Sequence, residues 1–290
     1  MRFKLAPITA VVLLAVSGSA SAAISYNSAT NPNGPAEIFV NIMAIGSEVA
    51  GGGISFTVDL GAPINLSTSG GTYATDPTLQ NSGPTSDWSK VGTKLQWSLA
   101  NDNEWLKFKG TSGVSTSNAV FDVKAINGIT GGTAIYSALT TLGSGDFTQE
   151  INQTLNNYKQ VAIGGLVDGV NGLPGMAATN GSTTAVNGDG AAFYPNGSGD
   201  SWKGFAQYVS TGSVNSALPF YLLSRTVPGT ASATATLAQY GVAANPGLWT
   251  VNFAGNYIQY EVAAIPEPGT WAMLTAGLLA VAGVARRRVL

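Results

Sequence analysis

Few residues in this chain can carry chemistry. There is no His and no Cys among its 290 residues. That removes Ser-His-Asp and Cys-His nucleophile systems, zinc sites of ordinary ligand type, and any disulfide framework. What remains is carboxylate chemistry. Asp102 and Glu104 flank Asn103 next to Trp105, with Trp97 shortly before. Two carboxyls around a sugar bond suffice for a glycosidase without histidine. Neighbouring carboxylates do not by themselves supply the separated acid and base that reaction needs, and the same triplet reads as a polar hairpin turn between two strands. Asp189 (in Asn187-Gly188-Asp189-Gly190) and Asp200 (in Asn196-Gly197-Ser198-Gly199-Asp200) put oxygen ligands on glycine-flexible loops. Calcium accepts such irregular loops, but the spacing is not that of an EF-hand and the composition is equally that of plain turns. Trp88 and Trp202 sit in polar Gly/Ser/Asp contexts, as stacking platforms for a sugar or as single core anchors under a loop. The expectation is a protein without catalytic residues and without a cofactor, calcium excepted.

The elements that would hold these residues are short and alternating. Hydrophobic residues make up 44% of the chain and charged residues only 10%, with 37 Gly and a formal net charge of -2. A nucleic-acid binder would normally show a basic face, so that class is set aside. Ile54, Phe56, Val58 and Leu60 alternate with Ser55, Thr57 and Asp59, and Phe121, Val123 and Ala125 alternate with Asp122 and Lys124. Ala231, Ala233 and Ala235 alternate in the same way. The clearest signal is Trp249, Val251 and Phe253, then Ala254-Gly255-Asn256, then Ile258, Tyr260 and Val262, which reads as a hairpin. Further strands are expected over Glu37 to Ile45, Leu95 to Leu99, Trp105 to Lys109, Gly204 to Ser210 and Phe220 to Val227. One helix is expected over Thr148 to Val161, where Ile151, Leu155 and Tyr158 form an i, i+4, i+7 stripe. These patterns predict an all-β domain, a β-sandwich or jelly roll with one short helix.

Both ends fall outside that domain. Arg2 and Lys4 precede an apolar stretch from Leu5 to Val16, and small residues follow up to Ala20-Ser21-Ala22. This is the pattern of a secretory signal peptide, residues 1–22, cut by signal peptidase after Ala22. An uncleaved N-terminal anchor is the alternative, for which the apolar stretch is short. At the other end, Thr270 to Ala285 is uncharged over 16 residues and is followed by Arg286, Arg287 and Arg288. As a helix it would reach about 24 Å, a marginal span with Trp271 at its outer edge and the arginines on the cytoplasmic side. Between the ends, residues 23–264 carry 14 acidic and 8 basic side chains. That segment is read as one exported, mildly acidic domain.

The tail carries a family resemblance. Pro266-Glu267-Pro268, Gly269-Thr270-Trp271, the apolar run and Arg286 to Arg288 occur in order over residues 265–290, and this arrangement resembles the PEP-CTERM sorting signal of Gram-negative bacteria. The resemblance implies recognition by a membrane enzyme, the exosortase, and a setting at the cell surface or in a biofilm matrix rich in exopolysaccharide. The two prolines favour an extended backbone that joins neither a strand before nor a helix after it, which suits a peptide read by a protease. The opening runs, Ala36 to Asn41 and Ile54 to Gly61, also resemble the first hairpin of exported PEP-CTERM proteins. Two functions follow as expectations. The first is a non-enzymatic cell-surface or matrix protein sorted by its tail. The second is an extracellular polysaccharide-binding module, calcium-assisted or not, with a hydrolase as a distant third.

Overall fold

The computed structural model describes residue 24 and residues 36–64, 92–130, 134–141, 143–145, 165–177, 181–197, 208–225, 235–239, 241–242 and 245–262. The signal peptide, the expected helix over Thr148 to Val161 and the C-terminal tail lie outside the described residues, as do Trp88, Asp200 and Trp202.

The strands in chain order are β1 (Ala36–Ile45), β2 (Gly53–Ile64), β3 (Lys94–Ser98), β4 (Ala119–Thr130), β5 (Ala134–Thr141), β6 (Ser144–Gly145) and β7 (Ser182–Val186). They continue as β8 (Tyr208–Val209), β9 (Gly212–Ser213), β10 (Ala217–Arg225), β11 (Ala235–Gln239), β12 (Gly241–Val242), β13 (Asn245–Asn252) and β14 (Tyr257–Val262). Twelve of them form one sheet whose main path is β3-β14-β13-β10-β5-β4-β1-β2-β7, every pairing antiparallel. The β-rich class expected from the alternation is therefore present, but the sandwich becomes a single sheet curled into a half-barrel. Alternation marks which residues face a core. It cannot tell whether the far wall of that core is a second sheet or the same sheet brought round by its own twist.

The concave face holds the main core. Ile38, Val40 and Ile42 of β1, Phe56 of β2, Phe121 of β4 and Phe220 of β10 meet Trp249 and Tyr260 there, all essentially inaccessible to solvent. The hairpin predicted at the end of the chain forms in register, Asn252 opposite Tyr257 and Trp249 opposite Tyr260. Its turn uses Asn256 at φ 55°, a left-handed conformation that Asn tolerates better than most residues. The β1–β2 connection likewise runs through Gly51 and Gly52 at φ 72° and 82°, which an L side chain would strain.

Two expectations fail in an informative way. Trp105 to Lys109 is not a strand; Asn103–Gly110 forms helix α1. Asp102 is its N-cap, accepting the Trp105 N–H at 2.9 Å, with Glu104 in the first turn and Lys107 and Lys109 in the last. Each charge suits the end of the helix dipole it occupies. The residues Trp105 and Phe108, three apart, share the buried face with rings 5.7 Å apart, while Leu106 faces outward. More helices also appear than the one expected: Leu166–Asn171 (α2) and Tyr194–Gly197 (α3) are both helical.

The polar half of the alternation is also not exposed. On the outer face of β1, β2 and β4, Asn41, Ser55, Thr57, Asp59, Asp122 and Lys124 are all buried. A second layer covers them, built from α2, α3 and the turns beside them, with its own core of Phe39, Met43, Leu166, Val170, Phe193 and Tyr194. Gly169 of α2 lies so close to the Ala191–Ala192 backbone that a Cβ would meet Ala192 N at 2.5 Å. Ile24 enters the same core, and the Asn171 side chain accepts its N–H and donates to its carbonyl, both at 3.0 Å. Ile24, two residues past the expected signal peptidase site, is thus held by the folded body.

Asp59 lies on this covered face. Its Oδ1 accepts the Gly61 N–H at 2.8 Å, while its Oδ2 is buried with no hydrogen-bond partner among the described residues. Burial first, and the neighbouring Glu37 carboxylate second, raise its pKa from 3.8 to about 7. The folded state therefore holds a proton that the unfolded chain gives up. The stabilisation from that proton is complete below the unfolded value of 3.8 and is lost as pH rises to about 7. Chemical denaturation between pH 4 and 8 should show stability falling with a slope approaching about 1.4 kcal/mol per pH unit. Asp59→Asn should flatten that slope; an unchanged slope would mean another group is responsible.

Candidate functional site

The carboxylates singled out for glycosidase chemistry both lie at the start of α1. Asp102 is engaged as the helix cap. Glu104 reaches across to the sheet's terminal strand β7, where its Oε2 accepts the Thr184 N–H at 3.0 Å and the Thr184 hydroxyl, and it pairs with Lys107 at 3.4 Å. Burial works to raise the Glu104 pKa, but the Thr184 hydrogen bonds and Lys107 outweigh it and hold the carboxyl below its ordinary value. Trp105 is fully buried, and its indole donates to Asn256 Oδ1 at 2.9 Å. Trp97 is half-covered and stacks on Trp249 at 5.5 Å. The expected polar turn is thus a helix N-terminus that ties the β7 edge to the β13–β14 turn.

That arrangement protects an edge. β7 ends the path of the sheet, and an edge strand presents backbone groups that can recruit another chain. Glu104 occupies one of them. Glu104→Ala should cost about 1–2 kcal/mol and should speed hydrogen exchange at the Thr184 amide. If that exchange is unchanged, the edge is held by something other than Glu104.

The remaining predicted sites are not brought together. Asp189 Oδ2 accepts the Val186 N–H at 2.7 Å, which is turn chemistry within its own loop. Among the described residues no group of three or more acidic side chains is placed to hold a metal. Also among the described residues, no helix is long and apolar enough to cross a membrane.

The most concentrated chemistry lies at positions that sequence reasoning did not single out as a site. Asp122 and Lys124 are two apart on β4, so both point to the same face, and both side chains are fully buried in direct ionic contact. Asn41 stands opposite Asp122 in register, and its amide donates to Asp122 Oδ1 at 2.8 Å. Thr57, opposite Asn41 on β2, donates to Asn41 Oδ1 at 3.0 Å. From the covering layer, the Tyr194 hydroxyl donates to Asp122 Oδ2, and Ser210 Oγ donates to the same oxygen at 3.0 Å. Lys124 Nζ donates to the Tyr194 hydroxyl at 3.0 Å and to Ser210 Oγ at 3.1 Å. Burial holds the Lys124 amine well below its ordinary pKa. Sequence reasoning placed Asp122 and Lys124 only as the polar half of a strand's alternation with Phe121, Val123 and Ala125. Opposite charges at i and i+2, in a chain this poor in charge, were the only available clue.

The described body is a curled antiparallel sheet with a covered outer face, and its last strand ends at Val262. Residues 264–288 match the family model of the PEP-CTERM protein-sorting motif. The chain thus carries a PEP-CTERM sorting motif at its tail, as the order of its tail elements suggested. A motif of this kind is recognised by an exosortase and implies export to the cell envelope or surface. No curated protein and no solved structure matches the chain.

Proposed function

We propose that this is a non-enzymatic cell-surface or biofilm-matrix protein, exported behind its residue 1–22 leader and processed by an exosortase at its tail. The sorting motif at residues 264–288, beginning two residues after the last strand, carries this reading. The folded domain would stand outside the cell as a structural or adhesive unit. The engagement of Asp102 as a helix cap and of Glu104 with β7 supports the non-enzymatic part, since the two carboxylates best suited to hydrolysis already have structural partners.

The intact mass of the protein recovered from the outside of its host tests this. The expected product begins at Ala23 and lacks the residues beyond Pro266-Glu267-Pro268, with any added mass reporting an anchor or glycan. A product that begins at Ala23 and still ends at Leu290 would mean an ordinary tail anchor and would overturn the processing step.

A further inference from the structure

We propose that Lys124 and Asp122 are joined by a covalent amide between the lysine Nζ and the aspartate Cγ. The two groups are in direct contact with no access to solvent, and the side chains around them are placed as that condensation requires. The neutral amine attacks Cγ, the new N–C bond forms, and the Cγ–Oδ2 bond breaks. Oδ2 leaves as water, carrying the carboxyl hydrogen and one hydrogen from the amine. Tyr194 and Ser210 each accept from Nζ and each donate to Oδ2, so either hydroxyl relays the proton from the nitrogen to the leaving oxygen. The Asn41 amide on Oδ1, itself oriented by Thr57, stabilises the negative charge that develops on that oxygen during attack. No oxidant, metal or cofactor enters the balance.

The environment favours the amide over the ion pair. Two charges in a dry interior carry a heavy desolvation penalty, whereas the amide is uncharged and pays only the smaller cost of a polar group. The depressed basicity of Lys124 supplies the neutral amine that a nucleophile must be. A chain without cysteine has no disulfide with which to fix a strand covalently. A link spanning three residues closes too short a loop to add much chain entropy, so its consequence is the removal of buried charge.

The test is mass spectrometry of the full exported protein, intact and after trypsin. Trypsin cuts after free lysine and not after an acylated one. The expected digest contains residues 110–159, uncut after Lys124 and lighter by one water. Lys124→Met, which keeps a long side chain in the apolar site without an amine, should give that region at its full mass. A wild-type peptide of full mass that is cut after Lys124 overturns the proposal. So does a peptide lacking water but still cut there, which is a succinimide at Asp122, or a missing water that persists in Lys124→Met.

Discussion

Asp122→Ala should destabilise the domain by about 3–5 kcal/mol, the range for breaking a fully buried charge pair from one side. The carboxyl is the shared acceptor for Asn41, Tyr194 and Ser210 as well as the partner of Lys124. Its removal leaves an amine in surroundings that no longer balance it. The sign of the pH dependence adds a check. Burial lowers the folded pKa of Lys124, so the native state gives up that proton at a lower pH than the unfolded chain does, and stability rises with pH until the ordinary lysine value is reached. Urea unfolding of Asp122→Ala should therefore show recovery from pH 7 towards pH 10. The double variant Asp122→Leu/Lys124→Met, which removes both polar groups and keeps volume, should lie far closer to wild type. A double variant as unstable as Asp122→Ala alone would place the loss in packing and in the hydrogen bonds from Asn41, Tyr194 and Ser210, not in the uncompensated amine.

Trp105→Ala should cost about 3–5 kcal/mol, as expected for deleting a buried tryptophan. The ring is inaccessible and packs 5.4 Å from Phe56, 5.7 Å from Phe108 and 5.3 Å from Phe253. Its indole N–H shares Asn256 Oδ1 with Lys109, whose Nζ lies 2.7 Å from that oxygen and 2.8 Å from the Phe253 carbonyl. One residue thus connects α1 to β2 and to the turn between β13 and β14. For a domain of this size the loss corresponds to a fall in Tm of roughly 10 °C. Trp105→Phe, which keeps a ring and loses the hydrogen bond, should cost about 1–2 kcal/mol. Alanine should also release α1 from the β7 edge, so self-association above that seen for Trp105→Phe is expected. An alanine variant melting like wild type would remove Trp105 as the anchor of the helix.

The contrast between α1 and the closing hairpin shows what was legible in residue order. Trp249 to Val262 could be read directly, because strict alternation on both sides of a Gly-Asn turn has one economical solution and every contact it needs is local. Trp105 to Lys109 looked like a strand for the same reason, since Leu106 and Phe108 alternate with Lys107 and Lys109. The Asp102 cap and the spacing of Trp105 and Phe108 were the contrary evidence, and they prevail because the helix buries both rings while Glu104 reaches β7. A segment of eight residues satisfies both periodicities; only its neighbours choose.

By itself the sequence determined the sorting tail, the β-rich class and the inward face of most strands. These depend on the order of residues within one short stretch, and in the tail on a linear signal that needs no partner elsewhere in the fold. Tertiary structure alone decided that the sheet curls on itself, that a second layer covers β1, β2 and β4, and that Asp122 and Lys124 lie in a dry interior. That layer comes from residues more than forty positions away from Lys124, among them Tyr194. Strand alternation records that a side chain points away from one core, and whether it then meets water or another layer depends on a part of the chain that the local pattern cannot see.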